Sequence, residues 1–172
     1  MTQRSPSQTI GPFFHLGLRW REGNKVGFST RGQRIVLTGR MVDGAGKAVS
    51  DALVETWQAA PEGAKGAARG SANPFGFGRV ETGKDGRFRV ETSMPAGAVP
   101  FIDVAIFARG LLKPLRTRVY LAPREKVESD PQMKPLAGSK RLDTLIAKPA
   151  RNNEYRWDVR LQGEGETVFF AT

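Results

Sequence analysis

The chain has 172 residues, 39% hydrophobic and 26% charged, enough for one globular domain with a core of its own. It holds no cysteine and one histidine, which excludes disulfides, thiolate metal sites, Cys–His nucleophiles and any site that needs two imidazoles. The formal net charge of +10 raises nucleic-acid binding, but the cations are scattered (Arg19, Arg31, Arg40, Arg69, Arg87, Arg116, Arg141, Arg160) without a basic tail or a nucleic-acid module, so an anionic small substrate or an acidic partner chain is the better expectation.

The opening MTQRSPSQTIG has no apolar stretch of the secretory kind, and no run approaches the ~20 apolar residues of a membrane helix. A cytoplasmic location and no membrane partner are therefore expected. PSQTIGPFF, Pro6 to Phe14, combines a hydroxyl, a glycine, a proline and two phenylalanines in an order no helix tolerates well. Such an arm is expected to pack against something. IVLTGRMV (Ile35 to Val42) reads as a strand and DGAGK after it as a turn. ALVETWQA (Ala52 to Ala59) is the next strand, with Leu53, Glu55 and Trp57 on one face and Val54, Thr56 and Gln58 on the other. The Gly/Ala/Pro-rich stretch Ala60 to Gly76 reads as a long loop.

FGRVETGKDGRFRVET predicts a hairpin, Gly78 to Thr82 and Arg87 to Thr92 around Lys-Asp-Gly. PFIDVAIFARG is apolar and β-branched, as in a strand buried on both faces. LRTRVYLA (Leu115 to Ala122) follows, then a single helical turn in PREKVES (Pro123 to Ser129). TLIAK (Thr144 to Lys148), EYRWDVRLQG (Glu154 to Gly163) and TVFF (Thr167 to Phe170) close the chain as strands. Many short strands between Gly- and Asp-rich turns define an all-β fold, an antiparallel β-sandwich with long loops and little helix.

Catalytic templates fail on inventory. His15 lies among apolar residues in FFHLG and reads as a structural histidine; GFGRVE lacks the third glycine and the helix of a phosphate loop; Asp43, Asp51, Glu55 and Asp103 lack calcium-loop spacing. Tyr120 and Tyr155 read as core residues with their hydroxyls at the rim. Arg109 in FARGLL stands out, because an arginine at the end of a buried strand is either paired, with a carboxylate such as Asp103 or Asp158, or faces a cavity that holds an anion. The apolar ending LQGEGETVFF is expected to dock rather than fray.

PSQTIGPFF, GRMVDGAGKAVSDALVETWQA, FGRVET, IFARGLLKPLRTRVYL, TLIAK and YRWDVRLQGEGETVFF, in that order from Pro6 to Phe170, resemble the alpha subunits of the protocatechuate 3,4-dioxygenases, a branch of the intradiol ring-cleaving dioxygenases. The resemblance implies a β-sandwich of the intradiol type, divided into an arm and loop over residues 1–30 that contact a partner and a sandwich over 31–172. It implies a beta subunit as obligate partner, in multiple alpha–beta units, holding Fe(3+) with two Tyr and two His. The four ligand positions fall in this chain at about Lys65, within the short Ala96 to Val99 segment, and at Phe101 and Asp103, so none is filled and no metal is expected. It further implies that Thr9, Gly11, Pro12, Phe13 and Arg109 line the pocket of the beta subunit around a small aromatic substrate. Phe13 stands where the family often has Tyr, and Phe101 where alpha subunits often keep His. The rival expectation is a non-catalytic β-sandwich scaffold related by fold alone.

Overall fold

The computed structural model describes residues 6–11, 13–19, 21–26, 32–61 and 76–171. Among the described residues nine strands form in chain order: β1 (Arg34–Val42), β2 (Leu53–Trp57), β3 (Phe77–Glu81), β4 (Arg87–Ser93), β5 (Phe101–Phe107), β6 (Leu115–Tyr120), β7 (Lys148–Pro149), β8 (Glu154–Arg156) and β9 (Val159–Arg160). Two short helices, α1 (Phe14–Gly17) and α2 (Arg124–Glu128), add little. One sheet has the order β4-β1-β8-β7 with β9 also on β1; the other is β3-β2-β5-β6. The second sheet is antiparallel throughout. In the first, β8 and β9 run parallel to β1.

Alternation builds the core. Ile35, Leu37 and Met41 of β1 and Phe88 and Val90 of β4 point inward, against Val54, Ile102, Val104, Ile106 and Val119 of the opposite sheet. In β2, Val54 and Thr56 face this core at 1% exposure while Glu55 is half-buried and Trp57 exposed, as the alternation requires, although Leu53 is also buried. β5 departs from a strand buried on both faces: Phe101, Asp103 and Phe107 are only half-buried, and the outward side keeps only Ala105 dry.

The predicted hairpin does not form. The turn is present, with Gly86 N–H donating to Gly83 O and Gly83 N–H to Arg87 O, both at 2.8 Å. Yet β3 pairs with β2, and β4 with β1 in the other sheet. Residues 23–26 occupy the gap between them: Arg79 N–H donates to Gly23 O at 2.7 Å, Glu91 N–H to Asn24 O and Val26 N–H to Glu91 O at 2.8 Å. Val26 is fully buried. The turn thus carries the chain from one sheet to the other, and an early segment takes the backbone groups a hairpin would have used.

Three terminal elements also differ from the sequence reading. The single helical turn is α2, but two 3-10 segments follow at Pro131–Leu136 and Lys140–Leu145, started by the Asp130 and Ser139 side chains, which accept from Gln132 N–H and Arg141 N–H. The predicted strand at Thr144 to Lys148 is therefore largely the end of the second segment, with only Lys148–Pro149 in a sheet. Met133, Leu142 and Leu145 pack with Tyr120, Val127 and Val168 in a second, smaller cluster. The predicted strand Glu154 to Gly163 is broken into β8 and β9 where Trp157 turns inward. The ending Thr167 to Phe170 makes one bridge, Phe170 N–H to Arg116 O at 2.8 Å, while Thr167 N–H donates to Arg160 O at 3.0 Å. It laces one sheet to the other and docks on its own sandwich.

Candidate functional site

Arg109 lies at the corner where β5 ends. Leu111 N–H donates to Ala108 O at 3.2 Å, and Gly110 has φ +88° while Arg109 keeps negative φ, so the corner is a type II turn with Gly at its third position. If Arg109 is paired, the sequence suggests a carboxylate such as Asp103 or Asp158. Neither serves: Asp103 accepts from Arg118 Nε at 2.9 Å, and Asp158 from Arg156 Nη2 at 2.9 Å. Arg109 Nε donates instead to Asp51 Oδ2. The register explains this. Leu53 lies opposite Phe107, so two residues further along each strand Asp51 falls opposite Arg109. That antiparallel pairing was the signal available in the sequence, and reading β2 and β5 as neighbours would have found it.

The guanidinium is not buried. Its side chain is 61% exposed, against 27% for Asp51, and among the described residues the only side-chain partner of the guanidinium is Asp51, through Nε. The N-terminal arm reaches the same corner: Gly110 N–H donates to Thr9 Oγ1 at 2.8 Å. Because that hydroxyl accepts, its own proton remains free to donate. Of the five residues expected to line a pocket, the structure thus brings Thr9 and Arg109 together at one turn. Pro12 and the His15 side chain lie outside the described residues. Gly11 is exposed with open space around it, and Phe13, just before α1, is 72% exposed. Leu16 and Leu18 in and after α1, and Leu112 beyond the corner, are also exposed.

The outward face of the second sheet carries a polar network that the sequence reading missed. The Arg118 guanidinium stacks over the Phe101 ring at 3.7 Å, donates to Asp103 at 2.9 Å and to Gln132 Oε1 at 2.8 Å. Tyr120 donates its hydroxyl proton to Asp130 Oδ2 at 2.7 Å. Burial pushes the Tyr120 phenol up to about 12; the neighbouring Arg118 opposes the rise and the bond to Asp130 adds to it. Further along the face, Arg79 pairs with Glu55 at 2.5 Å, and Trp57 lies against Phe77 with ring centroids 4.4 Å apart. The cross-strand pairs Phe101–Tyr120 and Asp103–Arg118 set this network directly.

Comparison with known proteins assigns the fold first. The dioxygenase domain of a dioxygenase–carbohydrate-binding protein fusion from Streptomyces sp. SirexAA-E superposes with a TM-score of 0.57 at 22% identity, covering 92% of this chain and 99% of that one. Residues 19–100 match the family described as Dioxygenase. The fold is therefore the β-sandwich of a dioxygenase domain. Across 98% of its length the chain is 37% identical to the protocatechuate 3,4-dioxygenase alpha chain of Burkholderia cepacia, covering 97% of that protein. It is also 31% identical to the beta chain from the same organism, over 79% of this chain and 67% of the other. The chain belongs to the family of protocatechuate 3,4-dioxygenase alpha chains.

Intradiol dioxygenases depend on iron, and the described residues do not fit that metal. Among the described residues no group of three or more His, Cys, Asp or Glu is placed to hold an ion. Phe101 offers no donor atom, and the Asp103 carboxylate accepts from an arginine whose cation stacks on Phe101. The position at Lys65 lies outside the described residues.

Proposed function

We propose that this chain is the subunit that completes the pocket of an iron-bearing beta partner, and that the pair cleaves 3,4-dihydroxybenzoate between its hydroxyl-bearing carbons with O2 to 3-carboxy-cis,cis-muconate. The relationship to both an alpha and a beta chain supports a two-chain enzyme. One observation carries this chain's share: the Thr9 hydroxyl and the Arg109 corner come together on the surface, with exposed Phe13 and Leu112 nearby in the sequence. An exposed cation and a free hydroxyl proton would shape and charge the mouth of a pocket for a benzoate, while ring opening belongs to the partner. Thr9, Gly11, Pro12, Phe13 and Arg109 are the lining residues.

The exposed apolar residues of the arm support docking on another chain. The apolar C-terminus, expected to dock, does so on its own sandwich, where Val168, Phe169 and Phe170 pack on the two core clusters.

Expressing the chain alone and with its beta partner tests the assignment. The lone chain should be colourless, without iron or ring cleavage; the complex should absorb visible light and turn over substrate. Iron and activity in the lone chain, or failure of the two chains to associate, would overturn it.

A further inference from the structure

We propose that Asp51 is a positioning residue that aims Arg109 at the carboxylate of the substrate, an inference resting on the pocket-lining reading above. Three observations meet at one corner. Strand register sets Asp51 opposite Arg109. The Asp51 carboxylate accepts from Nε and leaves the terminal nitrogens of a guanidinium that is 61% exposed. Gly110, locked at φ +88° in the turn, donates its N–H to Thr9, so the backbone beneath Arg109 is tied to the arm.

An arginine side chain has four flexible torsions, and an exposed one samples many directions. A carboxylate on Nε removes most of that freedom and turns the two-pronged edge outward, the edge that matches a second carboxylate. Asp51 also neutralises part of the charge. The two effects oppose each other: as an anchor it would strengthen binding of a benzoate, and as a competitor it would weaken binding.

The test uses the complete complex with the iron-bearing partner, assayed on 3,4-dihydroxybenzoate and on catechol, which lacks the carboxylate. In Asp51→Asn, KM for 3,4-dihydroxybenzoate should rise roughly five-fold with kcat little changed and catechol unaffected, and Asp51→Glu should recover most of the loss. An unchanged or lowered KM in Asp51→Asn overturns the anchoring role. An equal loss on both substrates, or a fall in kcat alone, reduces Asp51 to a structural ion pair and also overturns it. Arg109→Gln separates the two layers. If it abolishes the preference for the carboxylated substrate while Asp51→Asn does not, the pocket reading stands and the positioning role fails. If Arg109→Gln changes nothing, the pocket reading itself fails.

Discussion

Thr56 carries its hydroxyl into the space between the sheets at 1% exposure, and that oxygen has no hydrogen-bond partner among the described residues. Threonine suits the strand, but a buried hydroxyl left unpaired costs about 1–3 kcal/mol relative to a methyl of the same shape. Thr56→Val should therefore be neutral or stabilising by about 1 kcal/mol in urea unfolding, whereas most core substitutions in such a sandwich lose stability. Tyr120 gives a pH signature. Its phenol is pushed up to about 12 from an ordinary 10.0. The folded state favours the protonated form, so this contribution is complete below pH 10 and is lost as the pH climbs toward 12. Unfolding free energy should fall by about 2 kcal/mol across that interval, and the part due to Tyr120 should vanish in Tyr120→Phe.

Among the elements, β1 depends on one glycine. A Cβ at Gly39 would stand 2.0 Å from Trp157 O and 2.6 Å from the Phe88 ring. The strand is pressed there between β4 and the inward-turning Trp157, whose indole N–H donates to Thr144 O at 2.8 Å. Gly39→Ala displaces backbone as well as side chain, and should cost about 3 kcal/mol or more, read as loss of soluble protein or a sharply lowered Tm. The same region shows what the sequence could convey. Alternation in Ala52 to Ala59 made a strand and its two faces legible, because each side chain reports the face it occupies; Ile35 to Val42 and Phe101 to Phe107 were legible as strands, but the half-buried outward face of Phe101 to Phe107 was not. The partner of a strand is not written locally. A turn of the hairpin kind between β3 and β4 looked sufficient, yet residues 23–26, distant in sequence, hold both strands apart. The 3-10 segments escaped notice because Pro131 and Pro135 break any helical period and only Asp130 and Ser139 mark their starts. Of the site, the Arg109 corner was visible in the sequence. Its Asp51 partner and the Arg118–Phe101 stack required the register of β2, β5 and β6.

For the whole molecule, the proposed assembly can be tested at the exposed apolar side chains. Phe13 and Leu112, 72% and 63% exposed, contribute nothing to the core. Phe13→Asp and Leu112→Asp should leave the Tm of the lone chain unchanged within about 1 °C and abolish co-purification with the beta partner. A shifted Tm would instead place these residues in the stability of this chain.

The long-range closure of β1 also governs how the protein is made. Arg40 N–H donates to Asp158, 118 positions later, and β8 and β9 pair with the second edge of that strand at Val36 to Thr38 and at Met41 and Val42. On a ribosome β1 emerges well before these partners, and its second edge stays bare until the segment 118 positions further along has been synthesised. The nascent chain therefore carries an open, β-branched strand edge throughout that interval, the kind of edge that pairs with other chains unless something covers it.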